Sequence, residues 1–279
     1  MVIAEVDSLL RSSVANSVPI LVEFLRQEVR KTGFENVVFG LSGGIDSAVV
    51  AYLAVQAFGS DHVFGLIMPY KTSSKASVDD ALKVVNDLGL SAKQVDISPQ
   101  IDAYFAQVHT TAPLRRGNKM ARERMSIIYD HSVEYRALAL GTSNKTELLL
   151  GYGTQFGDLA SAVNPIGDLY KTQIREVARL VGVPQSILDK APSADLWEDQ
   201  TDETELGFSY EEADTILHLL IDDRLSLEEV CAYGFKPALV ETIMRRVQQN
   251  QYKRRMPVIA KLSSRTIGID FRYPRDWGM

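Results

Sequence analysis

The sequence predicts an α/β fold: a doubly wound parallel sheet with helices on both faces and a helical C-terminal part. Two observations carry this. Short apolar runs alternate with helix-period segments up to about residue 186, the order expected of a parallel sheet covered on both sides. Beyond that point no strong strand pattern remains, only helical periodicity and polar loops.

The elements follow in chain order. Val14, Val18, Leu21, Val22, Leu25 and Val29 recur at helical spacing, so residues 13–31 read as an amphipathic helix. Its apolar stripe either packs on the chain's own core or forms a dimer surface. "ENVVFGL" is a buried strand; a glycine-rich loop and a helix over 47–58 follow. "HVFGLIMPY" is a second strand, and "SVDDALKVVNDLGL" a helix with Ser77 and Asp80 as a capping-box variant and Gly89 as its stop. "SAKQVDIS" gives a third strand. A short helix over 99–108, a longer one over 117–135, the strand "RALALGT" and a helix from Asn144 come next. "YKTQIREVARLVGVP" is a further helix. "APSADLWEDQTDETELGF" is a long polar loop, a kind often functional in a compact domain. Helices including "PALVETIMRRVQQNQYKRR" precede an irregular tail. No repeat, low-complexity tract or linker appears, so residues 1–279 read as a single domain.

Composition excludes several classes. With 46% hydrophobic and 24% charged residues and no long apolar run, the chain reads as globular, with neither a membrane span nor a signal peptide. Cys231 is the only cysteine, which rules out an internal disulfide and fits a reducing cytoplasm. A net charge of −6 provides no general attraction for nucleic acid. The four histidines lack ligand-like spacing.

The loop Gly40-Leu41-Ser42-Gly43-Gly44-Ile45-Asp46-Ser47 lies where ligands sit in an open parallel sheet, beyond a strand's carboxyl end. Gly43 and Gly44 let the backbone turn and approach an anion, the helix start offers unpaired amides, and Ser42 and Ser47 add hydroxyls. The loop lacks the lysine of a nucleoside-triphosphatase P-loop. Asp46 would repel phosphate, a conflict that disappears if it holds a Mg²⁺ bridging to the phosphates.

The string Ser-Gly-Gly-x-Asp-Ser after a buried strand resembles the PP-loop of the adenine nucleotide α-hydrolase-like superfamily, whose Rossmann-like enzymes cleave ATP between the α- and β-phosphates. "GNKMARERM" (117–125), "LGTSNKTE" (140–147), "NPIGDLYKTQIRE" (164–176), "PSADLWEDQTDETELGFSYEEAD" (192–214) and "YKRRMP" (252–257) resemble, in order, the ammonia-dependent NAD synthetase family. The match runs from about residue 20 to 274 and includes no nitrilase-like glutaminase domain.

That resemblance implies a reaction: ATP, deamido-NAD (nicotinic acid adenine dinucleotide) and ammonia give NAD, AMP and pyrophosphate through an acyl adenylate, the last step of NAD biosynthesis. It implies no classical acid–base residue; Asp46, Glu147 and Lys171 carry the chemistry by charge and position. Glu147 and Asp158 would join Asp46 as Mg²⁺ ligands, although the first could simply complement a helix dipole and the second sit in a turn. Thr142, Lys171 and Ser193 would contact ATP with the glycine loop; a helix cap, a solvated lysine and a loop residue are their plain alternatives. Asn118, Arg122, Arg124, Tyr252 and Lys253 would bind deamido-NAD, unless the basic cluster is only a solvated face. Gln155 and Ala162 stand where many relatives have Lys and Asp, and Tyr252 where many have His. A homodimer is implied, with the first helix at its interface, as are mobile segments at 69–75 and 191–206. A tRNA-modifying or GMP-forming PP-loop enzyme, or a non-catalytic nucleotide-binding module, are the competing classes.

Overall fold

In the computed structural model the described residues are 2–109, 112–193, 201–267 and 269–270. Four strands, β1 (Asn36–Gly40), β2 (Val63–Ile67), β3 (Ser91–Gln94) and β4 (Ala137–Ala139), form one parallel sheet in the order β3-β2-β1-β4. Register runs from Val37 opposite Val63 on one side of β1 to Val37 opposite Leu138 on the other. A parallel bridge between Leu140 and Val163 extends the β4 edge. β1 is central and flanked by β2 and β4, so the chain reverses its winding there. The loops after β1 and β4 therefore open side by side, at the crevice where α/β sheets bind ligands.

Side-chain alternation splits the sheet into two cores. Val37, Phe39, Val63 and Ile67 face one side. There α2 (Ser17–Arg30), α3 (Ile45–Phe58), α4 (Lys75–Leu88), α8 (Lys171–Val181) and α9 (Gln185–Leu188) pack. Val38, Leu66, Ala137 and Ala139 face the other, covered by α5 (Ser98–Val108) and α6 (Pro113–Glu134). A third core joins α1 (Val2–Ser12) and α7 (Lys145–Leu150) to four helices of the C-terminal part. These are α10 (Asp202–Leu206), α11 (Tyr210–Leu217), α12 (Leu227–Ala232) and α13 (Pro237–Gln249). α3 is apolar nearly all round because it lies between the sheet and its neighbouring helices.

Several boundaries differ from the sequence reading. The helix expected over 13–31 begins at Ser17, and a separate helix, α1, precedes it. Leu10 of α1 is buried among the C-terminal helices, a long-range contact that periodicity cannot reveal. The apolar stripe of α2 packs on its own core through Val22, Leu25 and Val29. α4 starts at Lys75, and its cap is Ser74, whose Oγ accepts the Ser77 amide at 3.1 Å. Ser77 and Asp80 therefore lie inside the helix rather than at its cap. Gly89 ends α4 with φ of 62°, as expected. α6 begins with Pro113 at its first turn, four residues before the predicted start. β3 is exposed along its length, a short polar edge strand. The polar stretch after residue 191 contains α10.

Candidate active site

The glycine loop closes on itself. The Ser42 amide donates to Ser47 Oγ at 3.2 Å, the Gly44 amide donates to Ser42 Oγ at 3.2 Å, and Ser47 Oγ donates to the Gly44 carbonyl at 3.0 Å. Both hydroxyls therefore brace the turn, where the sequence suggested ligand donors. Gly43 has φ of +77°, and a Cβ there would fall 2.0 Å from the Ser77 carbonyl oxygen of α4. Gly44 has φ of −87° and caps α3. The first-turn amides of α3, which lack helical acceptors, belong to residues lining a cavity of about 1290 Å³.

Asp46, in the first turn of α3, meets residues from two other elements. The Asn144 side-chain amide donates to Asp46 Oδ1 at 2.9 Å, and Lys171 Nζ donates to Asp46 Oδ2 at 2.5 Å. Lys171 Nζ also reaches Glu147 Oε1 at 3.4 Å. Glu147 is fixed by a reciprocal cap: its amide donates to Asn144 Oδ1 at 3.0 Å, and the Asn144 amide donates to Glu147 Oε2 at 3.3 Å. The lysine side chain is 4% exposed. Burial alone would lower its ammonium, but Asp46 and Glu147 outweigh burial and hold it above the ordinary lysine value. Burial pushes the Glu147 carboxyl up to about 8; Lys171 opposes the rise, while Asp46 and Asp202 add to it.

A further carboxylate sets the two helix starts. Asp214, fully buried in α11, accepts Thr146 Oγ1 at 2.5 Å and the Thr172 amide at 2.8 Å. Thr146 Oγ1 in turn accepts the Lys171 amide at 3.0 Å. Asp202 accepts the hydroxyls of Tyr152 at 3.1 Å and Tyr210 at 2.9 Å, and Lys171 Nζ lies 5.3 Å from the Tyr210 ring centre. Asn144, Asp202, Tyr210 and Asp214 were not singled out from the sequence. The capping signature Asn144-x-x-Glu147 could have found the first; the others depend on contacts across about 40 to 70 residues of chain.

The remaining predicted residues fall as follows. Thr142, Ser193, Asn118, Arg122, Arg124, Gln155, Asp158, Tyr252 and Lys253 all line the same cavity. Asn118 Oδ1 accepts Thr154 Oγ1 at 2.9 Å; Arg122 Nε donates to the Gln155 carbonyl at 3.1 Å and Arg124 Nε to the Met68 carbonyl at 3.0 Å. Lys253 Nζ donates to the Gly151 and Gly153 carbonyls at 2.7 and 3.0 Å, and burial lowers its ammonium. Ala162 is outside the residues lining the cavity; its amide donates to the Ala139 carbonyl at 3.0 Å, along the β4 edge. The expected mobile segment 191–206 includes residues 194–200, which lie outside the described residues.

The carboxylates suit a hard cation in part. Asp46 and Glu147 converge on one positive group, and Mg²⁺ takes oxygen ligands from one or two carboxylates, water and phosphate. Asp46, Glu147 and Asp202 share a single buried ammonium, so added positive charge is electrostatically favoured. Among the described residues no three His, Cys, Asp or Glu side chains gather to hold a metal. Asp158 lines the cavity, and its Oδ1 accepts the Thr154 amide at 2.9 Å. Lys171 lines it too, between Asp46 and Glu147, where the sequence suggested a phosphate contact.

Comparison with known proteins places this geometry among relatives. The family model described as NAD synthase matches residues 17–257. The NH(3)-dependent NAD(+) synthetase of Chlorobaculum parvum is 57% identical over 258 residues, 92% of this chain and 93% of that one. That of Trichlorobacter lovleyi is 54% identical over 93% of this chain and 95% of its own. Among solved structures, the NH3-dependent NAD synthetase of Campylobacter jejuni, in complex with nitrate, superposes with a TM-score of 0.75 at 38% identity, covering 88% and 97% of the two chains. An NMN synthetase from Francisella tularensis gives 0.78 at 34% identity, covering 87% and 96%.

Proposed function

The chain belongs to the NAD synthase family, and on that premise we propose how its cavity amidates deamido-NAD with ammonia at the expense of ATP, the last step of NAD biosynthesis. The observation that carries the reading is the convergence of Asp46, Asn144, Glu147 and Lys171 at the mouth of the glycine loop. ATP lies with its polyphosphate on the loop and the first turn of α3, whose amides and helix dipole favour an anion. Asp46 and Glu147 are the residues that would hold Mg²⁺, which when bound neutralises the phosphate oxygens as pyrophosphate leaves. Lys171, in contact with both carboxylates, holds them in place.

The nicotinate carboxylate attacks the α-phosphorus, giving an acyl adenylate and pyrophosphate. Ammonia then attacks the activated carbonyl, the bond to AMP breaks, and the proton lost from the attacking nitrogen passes to water. No side chain need act as a general base, because neutral ammonia is the nucleophile. Holding the two substrates in line accounts for much of the rate, a contribution worth roughly 7–11 kcal/mol in well-oriented systems. Thr142 and Ser193 extend the ATP side. Asn118, Arg122, Arg124, Tyr252 and Lys253 form the dinucleotide side, and Gln155 offers its carbonyl to Arg122 there. The NMN synthetase name of the Francisella neighbour supplies a second reading, a mononucleotide substrate; the higher identity to the Chlorobaculum relative favours the dinucleotide.

The test is incubation with ATP, Mg²⁺, ammonium and deamido-NAD, with nicotinic acid mononucleotide and xanthosine monophosphate as competing substrates. NAD and AMP in equal amounts are expected; ADP in place of AMP, or no NAD, would refute the reading.

The assembly proposed is a homodimer acting in the cytoplasm. Its surface is proposed at α6 and the adjoining loop, where Val133 and Phe156 are 79% and 63% exposed, with α2, whose Ile20 is 69% exposed, as the alternative. Among the described residues no helix is long and apolar enough to cross a membrane. Light scattering on the purified protein is expected to give about twice 31.0 kDa, and a Phe156→Asp/Val133→Asp variant about one chain mass; a wild-type mass of one chain would exclude the dimer.

A further inference from the structure

The glycine loop has no lysine of its own, and Lys171 is held between two carboxylates. A polyphosphate on this loop would share the Lys171 ammonium with Asp46 and Glu147 and calls for further positive charge. We propose that Lys190 supplies it, binding the β- and γ-phosphates of ATP and the pyrophosphate that leaves.

Three observations converge on Lys190. The first is position. Gly43 packs so closely on α4 that a Cβ would strike the Ser77 carbonyl, and Lys190 Nζ donates to the Ser77 hydroxyl at 2.9 Å. The ammonium is thus one residue removed from the tightest point of the loop. Lys190, Ser77, Ser42 and Gly44 line one cavity.

The second is charge. Asp80 Oδ2 lies 3.4 Å from Lys190 Nζ, and Asp80 Oδ1 lies 3.3 Å from Lys83 Nζ. Two ammonium groups on one carboxylate leave a surplus positive charge. Lys83 turns away to Ser186 Oγ at 3.1 Å and is outside the residues lining the cavity, so the surplus on the cavity side belongs to Lys190. The Lys190 side chain is 30% exposed, so its charge is less screened by water than that of a fully exposed lysine.

The third is the disposition of the other cavity cations. Lys71 pairs with Asp102, Lys253 holds the Gly151 and Gly153 carbonyls, Arg122 and Arg124 hold the Gln155 and Met68 carbonyls, and Arg246 lies over the Phe208 ring. None of these contacts touches the loop or Ser77. Phosphate oxygens are stronger acceptors than the Ser77 hydroxyl, so Lys190 can exchange that partner for ligand with a small movement.

This inference rests on the reading that ATP is cleaved to AMP and pyrophosphate, and the experiment separates the two. Binding of inorganic pyrophosphate in Mg²⁺ buffer is measured by calorimetry on wild type, Lys190→Met, Lys190→Arg and Asp80→Asn, with Tm as a folding check. KM values for ATP and for deamido-NAD are measured alongside. Lys190→Met is expected to weaken pyrophosphate binding and raise the KM for ATP by about 10- to 100-fold, the range for losing one charge-assisted hydrogen bond, with the KM for deamido-NAD within about twofold. Lys190→Arg should restore part of the loss. Asp80→Asn, which removes the competing carboxylate, should tighten pyrophosphate binding; a structural role for the Lys190–Asp80 pair predicts the opposite sign. Unchanged pyrophosphate binding in Lys190→Met, an equal rise in both KM values, or weaker or unchanged binding in Asp80→Asn would overturn the assignment of Lys190. If wild type makes no AMP and pyrophosphate, the reaction reading fails whatever the binding data show.

Discussion

Lys171→Met is expected to lower turnover by at least about 100-fold and to destabilise the fold at the same time. The ammonium lies 2.5 Å from Asp46 and 3.4 Å from Glu147, with almost none of its side chain in water. Removing it leaves two carboxylates facing each other, with Asp202 close enough to add to the rise of the Glu147 carboxyl. Breaking a buried pair by deleting one partner costs about 3–5 kcal/mol, because the remaining charge is uncompensated. For a chain of this size that corresponds to a fall in Tm of about 5–9 °C. Adding Glu147→Gln to Lys171→Met should recover much of the Tm and none of the turnover. A single variant with wild-type Tm would show that the carboxylates are not balanced by Lys171. A double variant that regained turnover would show that Glu147 has no part in the reaction.

Gly43→Ala is expected to damage the loop as strongly, and Gly44→Ala to be nearly silent. Gly43 combines a φ of +77° with a backbone oxygen 2.0 Å from the position a Cβ would take. The dihedral alone costs a residue with a side chain about 1–3 kcal/mol. The overlap adds about 1–3 kcal/mol more, since the clash is with main chain of α4 and no rotamer relieves it. Gly44 has an ordinary φ, and a Cβ there would meet nothing closer than Ser42 Oγ at 3.3 Å. Thermal unfolding and ATP affinity of the two variants check this directly. Equal effects would mean that the loop needs glycine for close approach to phosphate at both positions, and not for packing on α4.

Much of this molecule was legible in the sequence. The strands at 36–40 and 63–67 and the helices starting at Ile45, Lys145 and Lys171 were found within a few residues, because each is bounded by glycine, a cap or a change of period. The missed helix α1 and the shifted start of α2 share a cause. Their apolar faces are completed by partners far along the chain, α1 by α8 and α11 and Val22 by the sheet-side core. The Ser77–Asp80 pair looked like a cap because the residue types fit, but Ser74 lies one turn earlier and takes that role.

The candidate site divides in the same way. Asp46, Glu147 and Lys171 could be selected in the sequence because each lies at a helix start following a strand end or a turn. What the sequence could not show is that Asn144, a cap by local grammar, also donates to Asp46 from 98 residues away. Nor could it show Asp214 tying the starts of α7 and α8 together across the third core.

By itself the sequence determined the class of the fold and the family whose motifs follow in order. These are local properties: a period, a turn that only glycine can make, a spacing. The tertiary structure decided which charges neutralise one another. It put Lys171 between two carboxylates, left a surplus charge on Lys190 beside the loop, and covered the stripe of α2. Charge balance and burial depend on distances between segments far apart in the chain, and only the folded arrangement of the sheet and its three cores fixes those distances.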